Sequence, residues 1–311
     1  MHVVSFGEVM GRFAPEGFLR FKQVLPGSLN VTFGGAESNV AVSIATLGGQ
    51  ASFVTALPDN DLADACIAAI RARGVNTDKI VRTKKGRLGL YFLETGANQR
   101  PSKVIYDREG SSVTLTPASD YPWQEIFKDA TWFHITGITP SLSQTAAQAS
   151  LEAVKQAKQA GLTVSCDLNF RKKLWKWDSS LKPRALAEKT MRQIVPYVDV
   201  VIANEGDAAD VLSIHAQDTD VESGKLAIDK YPQVAREIIH QFGNVSKVAI
   251  TLRESISASH NNWGAMLYDR DAERAFYAPL HDGQYQPYPI RDIVDRVGGG
   301  DSFGAALIFA L

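Results

Sequence analysis

Residues 131–170, TWFHITGITPSLSQTAAQASLEAVKQAKQAGLTVSCDLNF, contain one complete strand–helix–strand unit. Trp132–Ile135 is an apolar run of strand length. A helical pattern follows near Gln144–Ala160 and stops at Gly161, since glycine enters the left-handed backbone region without steric cost. Thr163–Leu168 is the second strand. Strands joined through a helix pair in parallel, because a parallel pair needs a long crossover.

The same order extends in both directions. Upstream lie the strand Val3–Phe6 and a helix over Ala36–Leu47 with Val40, Ile44 and Leu47 on one face. The strand Ser52–Ala56 follows, then helical spacing of Leu62, Cys66 and Ile70 through Ala72, stopped at Gly74. Downstream come a helix over Ala185–Val195, the strand Val198–Ala203, a helix over Val234–Phe242 and the strand Lys247–Leu252. This alternation predicts an α/β fold, with a mostly parallel central sheet covered by helices on both faces. Two places break it. Leu29–Phe33, and Arg87–Glu94 with Val104–Arg108, are β segments without helices between them. The second pair forms a hairpin around Gly96-Ala97-Asn98-Gln99. Strands that leave an α/β core form a flap, so segments about 10–33 and 86–112 are expected to make a β lid over a ligand site. Ala216–Leu226 is read as a polar surface loop, and residues 1–311 as a single domain.

Composition narrows the function classes. The chain has 311 residues, 45% hydrophobic, with a formal net charge of −1. That balance gives no basic surface for nucleic acid or anionic membrane. No apolar run is long enough to span a bilayer, and the start Met1–Phe6 lacks a signal-peptide pattern. Cys66 and Cys166 are far apart without metal spacing, and read as buried free thiols in a reducing, cytoplasmic setting.

The residues that carry chemistry cluster in five places. Gly298-Gly299-Gly300-Asp301 leads into an apolar helical stretch, Ser302–Leu311. A glycine turn at a helix N-terminus is an anion site, because free N–H groups and the positive end of the helix dipole converge there. A carboxylate inside such a site suits a base, which points to phosphoryl or acyl transfer. Gly34-Gly35-Ala36-Glu37-Ser38-Asn39 opens the first long helix, either as a ligand contact or as a tight strand-to-helix turn. Tyr106 and Arg108 share a strand face, with Tyr91 on the neighbouring strand. They fit either an inward lid face or a solvated edge. Asp167, Asn169 and Arg171 follow an apolar strand, where open α/β sheets bind ligands; they share a face if that strand continues. Asn204-Glu205-Gly206-Asp207 offers carboxylates for water around a magnesium ion, or simply an acidic helix start. His134 reads as a core histidine. No nucleophile elbow, Walker loop or dinucleotide-binding glycine spacing is present.

Taken together these motifs resemble the ribokinase-like (PfkB) family of carbohydrate kinases over Val3–Leu311. Two signatures carry the resemblance: Gly34-Gly35-Ala36-Glu37-Ser38-Asn39 and Asp295-Arg296-Val297-Gly298-Gly299-Gly300-Asp301-Ser302-Phe303. Tyr106-Asp107-Arg108, the segment Asp167–Trp175 and the opening Gly7-Glu8 are similar to the members acting on 2-keto-3-deoxygluconate. The resemblance implies a three-layer α/β/α ribokinase-like fold and ATP-dependent phosphorylation of the terminal hydroxyl of a sugar acid. It implies Asp301 as catalytic base, with Gly34, Gly35, Asn39, Tyr91, Tyr106, Arg108 and Arg171 around the sugar acid. Asn169, Asn204, Thr251, Arg253, Gly298, Gly299 and Gly300 would lie along ATP, and Asp207 would serve Mg²⁺ through water. Two ligand-facing arginines agree with a carboxylate substrate.

Three departures from the family pattern stand out. Asp207 replaces a longer glutamate. Arg253–Ser257 replaces a glycine-containing turn and continues into an inserted-looking loop, Ser259–Trp263. The final helix runs about three turns, so the remainder of the fold and the adenine pocket are expected to lie beyond Leu311. Competing readings are a kinase for a neutral ketose such as fructose, a non-catalytic sugar-acid sensor, and a nicotinamide oxidoreductase. The open edges of the lid predict a homo-oligomer formed through it.

Overall fold

The computed structural model describes residues 1–204, 206–215 and 230–311. The chain begins β1 (His2–Phe6), β2 (Met10–Ala14), α1 (Phe21–Val24), β3 (Asn30–Gly34), α2 (Ala36–Thr46), β4 (Gln50–Val54), β5 (Ala56–Pro58), α3 (Asp61–Arg71), β6 (Val81–Thr83), β7 (Gly89–Glu94) and β8 (Lys103–Asp107). It continues α4 (Ser112–Leu115), α5 (Trp123–Phe127), β9 (Trp132–Thr136), α6 (Gln144–Gln159), β10 (Thr163–Asp167), α7 (Pro183–Ile194), β11 (Val200–Asn204), α8 (Asp207–Leu212) and α9 (Tyr231–Gln241). The last part holds β12 (Lys247–Ser257), β13 (His260–Asp269), β14 (Arg274–Ala278), β15 (Leu280–His281), β16 (Gln284–Tyr285), β17 (Tyr288–Ile290) and α10 (Gly299–Ala310). The segment read as a polar loop at Ala216–Leu226 lies outside the described residues.

The main sheet has the order β14-β13-β12-β11-β10-β9-β1-β4, with β17 also paired to β13. Pairing is parallel from β4 to β12, as the strand–helix alternation predicts. Consecutive residues on each strand serve opposite faces. Val4, Val54 and Phe133 join the core under α5 to α9, while their neighbours Val3, Phe53 and Trp132 join the core under α2, α3 and α10. Helix α6 starts where the Ser143 side chain accepts a hydrogen bond from the Ala146 N–H at 3.0 Å, a standard N-cap. It ends before Gly161, whose φ of +79° is the left-handed turn expected there.

The far end of the sheet differs from the sequence reading. β12 does not stop at Leu252. It runs on to Ser257 and turns back at once into β13, with Arg253 opposite Trp263. The residues read as an inserted loop are the tip of a long antiparallel hairpin. Residues 248–252 are buried and 253–256 exposed, so the hydrophobic pattern ends at the core boundary while backbone pairing continues. The short strands β14 to β17 escaped notice for the same reason, being largely exposed.

A separate four-stranded sheet, β3-β2-β7-β8, is built from the segments read as the lid. Register places Met10, Arg12, Tyr91, Leu93, Val104 and Tyr106 on one face, and Phe13, Val31, Phe92 and Ile105 on the other. Several contacts tie this sheet to the main body. Arg12 pairs with Asp295 at 2.5 Å. In the β7–β8 turn, the Asn98 carbonyl accepts from Ala258 N–H at 2.8 Å, and Asn98 N–H donates to Ser259 Oγ at 3.1 Å. The strand β8 ends at Asp107, so Arg108 lies just beyond it rather than on its face. The guanidinium still sits 5.4 Å from the centre of the Tyr106 ring.

Candidate active site

A cavity of about 580 Å³ opens between the four-stranded sheet, the carboxyl ends of β10 and β11, and the N-termini of α2 and α10. Every residue expected to contact sugar acid, nucleotide or metal lines it, from Tyr106 and Arg108 at one side to Arg253 and Gly298–Asp301 at the other.

Two helix starts form its floor. Gly298 precedes α10 with φ +86°, a conformation that side-chain residues rarely adopt. A Cβ on Gly300 would meet open space, and the first N–H groups of a helix have no intrahelical partner. Asp301 occupies the third helical position and accepts a hydrogen bond from Asn39 Nδ2 at 2.7 Å. Asn39 belongs to α2, whose N-cap is Gly35. A Cβ on Gly35 would stand 1.9 Å from the Glu8 carbonyl oxygen, so glycine is required by close approach. Behind this contact, Ala305 and Ile308 of α10 pack into the cluster that holds Val40 and Ile44 of α2.

Carboxyl groups crowd the cavity wall. Burial raises Asp301, against the hydrogen bond from Asn39 and the charge of Arg171. Asp167 is raised well above the usual carboxylate range by burial and then by Asp207 and Asp301. Glu37, in the first turn of α2, is raised to about 7 by burial, although Thr136 and Thr139 hydroxyls donate to its Oε1 at 2.7 and 2.8 Å. Arg171 lines the same cavity and is exposed, and its guanidinium makes no hydrogen bond or ion pair among the described residues.

Asp167, Asn169 and Arg171 do not share a strand face. β10 ends at Asp167 and Asn169 has φ +37°, so a turn, not a strand, brings them to the cavity. Asp207 is buried, and backbone N–H groups of Phe170 and Asn204 donate to its two oxygens at 3.1 and 3.0 Å. Asn204 Oδ1 accepts in return from Asp207 N–H at 3.1 Å. This reciprocal pair ties the end of β11 to the start of α8, so Asp207 has a structural task whether or not a metal binds. Burial raises its pKa. Glu205 lies outside the described residues. Among the described residues, no cluster of three or more His, Cys, Asp or Glu side chains is arranged as a metal site.

On the sheet side, Tyr91 is pushed up to about 12 by burial and stays a neutral hydroxyl. Its ring lies 6.2 Å from that of Tyr106. Arg108 is buried and paired with Glu8, its Nε donating to Glu8 Oε2 at 2.7 Å. On the opposite side Thr251 Oγ1 donates to the Ala203 carbonyl at 3.4 Å, and the Arg253 guanidinium lies 6.0 Å from the Trp263 ring. His134 is a core residue as expected, bonded to Ser165 and held neutral by burial, which lowers its pKa to about 3. Cys66 and Cys166 are free and buried.

Sequence reasoning quoted Glu37, Glu8 and Trp263 only as parts of longer segments and gave them no role, though all three line the cavity. A carboxylate in a first helical turn already satisfies the dipole, which hid Glu37. Trp263 sat in what read as a loop. Glu8 is two residues past β1 and carried no local signal of burial.

A glycine-rich helix start with an internal carboxylate, at the carboxyl ends of a parallel sheet, defines a phosphoryl-transfer site on a three-layer α/β fold. The pfkB family carbohydrate kinase profile matches residues 1–311, and the chain belongs to that family. A 2-dehydro-3-deoxygalactonokinase of Haloferax volcanii is 33% identical over 310 residues, covering 99% of this chain and 84% of that protein. The crystal structure of 2-dehydro-3-deoxygluconokinase from Thermotoga maritima matches with TM-score 0.88 and 42% identity, over 100% of this chain and 87% of that one. A probable fructokinase-2 of Arabidopsis thaliana is 27% identical, over 98% of this chain and 80% of that protein. The fold class and the enzyme class expected from the resemblance are both borne out: this is a kinase that phosphorylates an alcohol group. No helix among the described residues is long and apolar enough to cross a membrane.

Glu37 gives a test of the buried carboxyls. A carboxyl raised in the folded state stabilises the fold while protonated. Its contribution is fully present below about 4.5 and is lost as pH rises through about 7. Glu37→Gln keeps the acceptor for both threonines and cannot ionise. Relative to this variant, the wild type should lose up to roughly 3 kcal/mol of unfolding free energy between pH 4.5 and 7.5. Urea unfolding of both proteins across that range measures it; parallel pH profiles would show that Glu37 is not a protonated buried acid.

Proposed function

We propose that this chain transfers the γ-phosphoryl group of ATP to the terminal hydroxyl of a keto-deoxy sugar acid, 2-keto-3-deoxygluconate or its galactonate counterpart. The observation that carries the reading is the placement of Asp301: a half-buried carboxyl whose pKa is raised, in the first turn of α10, in a cavity that also holds the unpaired guanidinium of Arg171. In the reaction, an Asp301 carboxylate oxygen takes the proton of the substrate hydroxyl as the hydroxyl oxygen bonds to the γ-phosphorus and the bond from the γ-phosphorus to ADP breaks. The N–H groups of Gly299, Gly300 and Asp301 stabilise the charge on the transferred group. Asn39 orients the base. Arg171 attracts the substrate carboxylate, and Tyr91 and Tyr106 bound the sugar from the lid. Asn169, Asn204, Thr251 and Arg253 line the nucleotide side.

The donor chemistry also fits Mg²⁺. Asp167 and Asp207 are hard oxygen donors that repel each other, and each oxygen of Asp207 keeps a lone pair for a metal-bound water beside its backbone bond. The ion supplies charge neutralisation of the phosphates when bound.

A second reading, a neutral ketose as substrate, has one structural argument. Glu8 already balances the charge of Arg108, which leaves that arginine less attractive to an acid. The 27% identity to a plant fructokinase points the same way, though more weakly than the two sugar-acid kinases.

The outward face of the four-stranded sheet fits a second copy of this chain. Val31 and Ile105 are about half exposed there, and Phe13 and Phe92 stack at 5.3 Å. Apolar surface of this kind marks a contact face.

Three measurements test these readings. Asp301→Asn should lower kcat about 10²- to 10⁴-fold while calorimetry still detects sugar-acid binding; a near-normal kcat would remove Asp301 as the base. In a coupled ADP assay over keto-deoxy sugar acids and neutral ketoses, Arg171→Met should raise KM for the acid at least about tenfold more than for fructose. Equal effects would favour the neutral reading. Light scattering should give a dimer or larger for the wild type and a smaller species for Ile105→Glu; a wild-type monomer would rule out assembly through the lid.

A further inference from the structure

Glu8 belongs to the cavity wall but has no part in the reaction scheme. Its side chain is 3% exposed, yet it lines the cavity. Oε2 accepts both from Arg108 Nε, at 2.7 Å, and from a second guanidinium nitrogen. Oε1 is buried and accepts from nothing. Buried polar atoms are nearly always partnered, so an orphan acceptor at a cavity wall marks a place where a ligand supplies the donor.

The surroundings hold this carboxylate in place. The backbone of Glu8 is clamped against α2, because only glycine at position 35 lets the helix approach its carbonyl. Gly89 of β7 lies next to Oε1, and a Cβ there would come within 2.7 Å. Arg108, stacked beside Tyr106, fixes the carboxylate from the other side.

We propose that Glu8 is a specificity-determining residue whose Oε1 accepts a hydrogen bond from a hydroxyl of the sugar, with Arg108 as its internal counter-charge. The chemistry excludes the other end of a sugar acid. A carboxylate oxygen is an acceptor only, so the substrate carboxylate offers it no donor and is repelled. A hydroxyl donates. The cavity is thereby divided, with hydroxyls read at Glu8 and the acid group held at Arg171. The inference rests on the reading that the substrate is a polyhydroxylated sugar acid, but its test separates the two.

The test uses the full chain and a panel of the accepted sugar in which each hydroxyl other than the attacking terminal one is replaced in turn by fluorine, which cannot donate. The wild type should lose about 10- to 100-fold in kcat/KM at one position, the effect of removing a hydrogen bond to a charged acceptor. In Glu8→Gln, Arg108 claims the amide oxygen and the NH₂ group faces the cavity. The variant should bind the parent sugar more weakly, mainly through KM, and its fluorine penalty at that same position should shrink to about threefold or less. A purely structural role would lower stability without moving the position-specific penalty. If Glu8→Gln does not fold, Gly89→Ala crowds Oε1 and should flatten the same penalty. The proposal is overturned if the wild type shows no position-specific loss, or if the variant keeps the wild-type pattern. If the wild type accepts only neutral ketoses, the substrate reading fails, and the fluorinated ketose panel still decides the role of Glu8.

Discussion

The hydrogen bond from Asn39 to Asp301 joins two helix starts that are 262 positions apart in sequence. It depends on the packing behind it, where Ile44 and Val40 of α2 meet Ala305 and Ile308 of α10 in one apolar cluster. That docking brings the first turns of both helices to the same cavity and sets the Asp301 carboxylate there. The glycines follow from this geometry. Gly35 permits α2 to touch the backbone at Glu8, and Gly298 makes the left-handed turn that starts α10. Larger residues at either place would move a helix, and with it the reacting group.

Charge is the second organising constraint. The cavity gathers Glu8, Glu37, Asp167, Asp207 and Asp301, with Arg108 and Arg171 among the cations. The protein handles this surplus of acids in several ways. Arg108 neutralises Glu8 directly. Threonine hydroxyls and a raised pKa hold Glu37, while backbone N–H groups hold Asp207. What remains for ligands is the half-buried carboxyl of Asp301, an unpaired guanidinium and a patch suited to a hard cation, which together fit the proposed phosphoryl transfer to an acidic alcohol.

Much of this was legible in the chain itself. The alternation of strands and helices follows from periods of two and 3.6 in buried segments, and those segments appeared close to their expected places. The residues expected around the ligands all face one cavity, because motif glycines and strand-end polar residues have few other places to go in such a sheet. The misreadings share a cause as well. Arg253–Trp263 read as a loop because exposed strands lose hydrophobic alternation while keeping their backbone pairing. Asp167, Asn169 and Arg171 were expected on one strand face, whereas a left-handed turn at Asn169 ends the strand first.

By itself, then, the sequence determined the parallel part of the sheet, its helical cover and the glycine-rich helix start that carries Asp301, since each arises from local periodicity or from what glycine permits. Tertiary structure alone decided which charges meet. Arg108 looked free for a substrate carboxylate, and only folding brings Glu8, 100 positions away, to its guanidinium. Glu37 looked like an ordinary helix-start acid until burial on Thr136 and Thr139 changed its protonation. The physical reason is range: backbone preferences act over a few residues, whereas burial and ion pairing depend on groups that the fold alone makes neighbours.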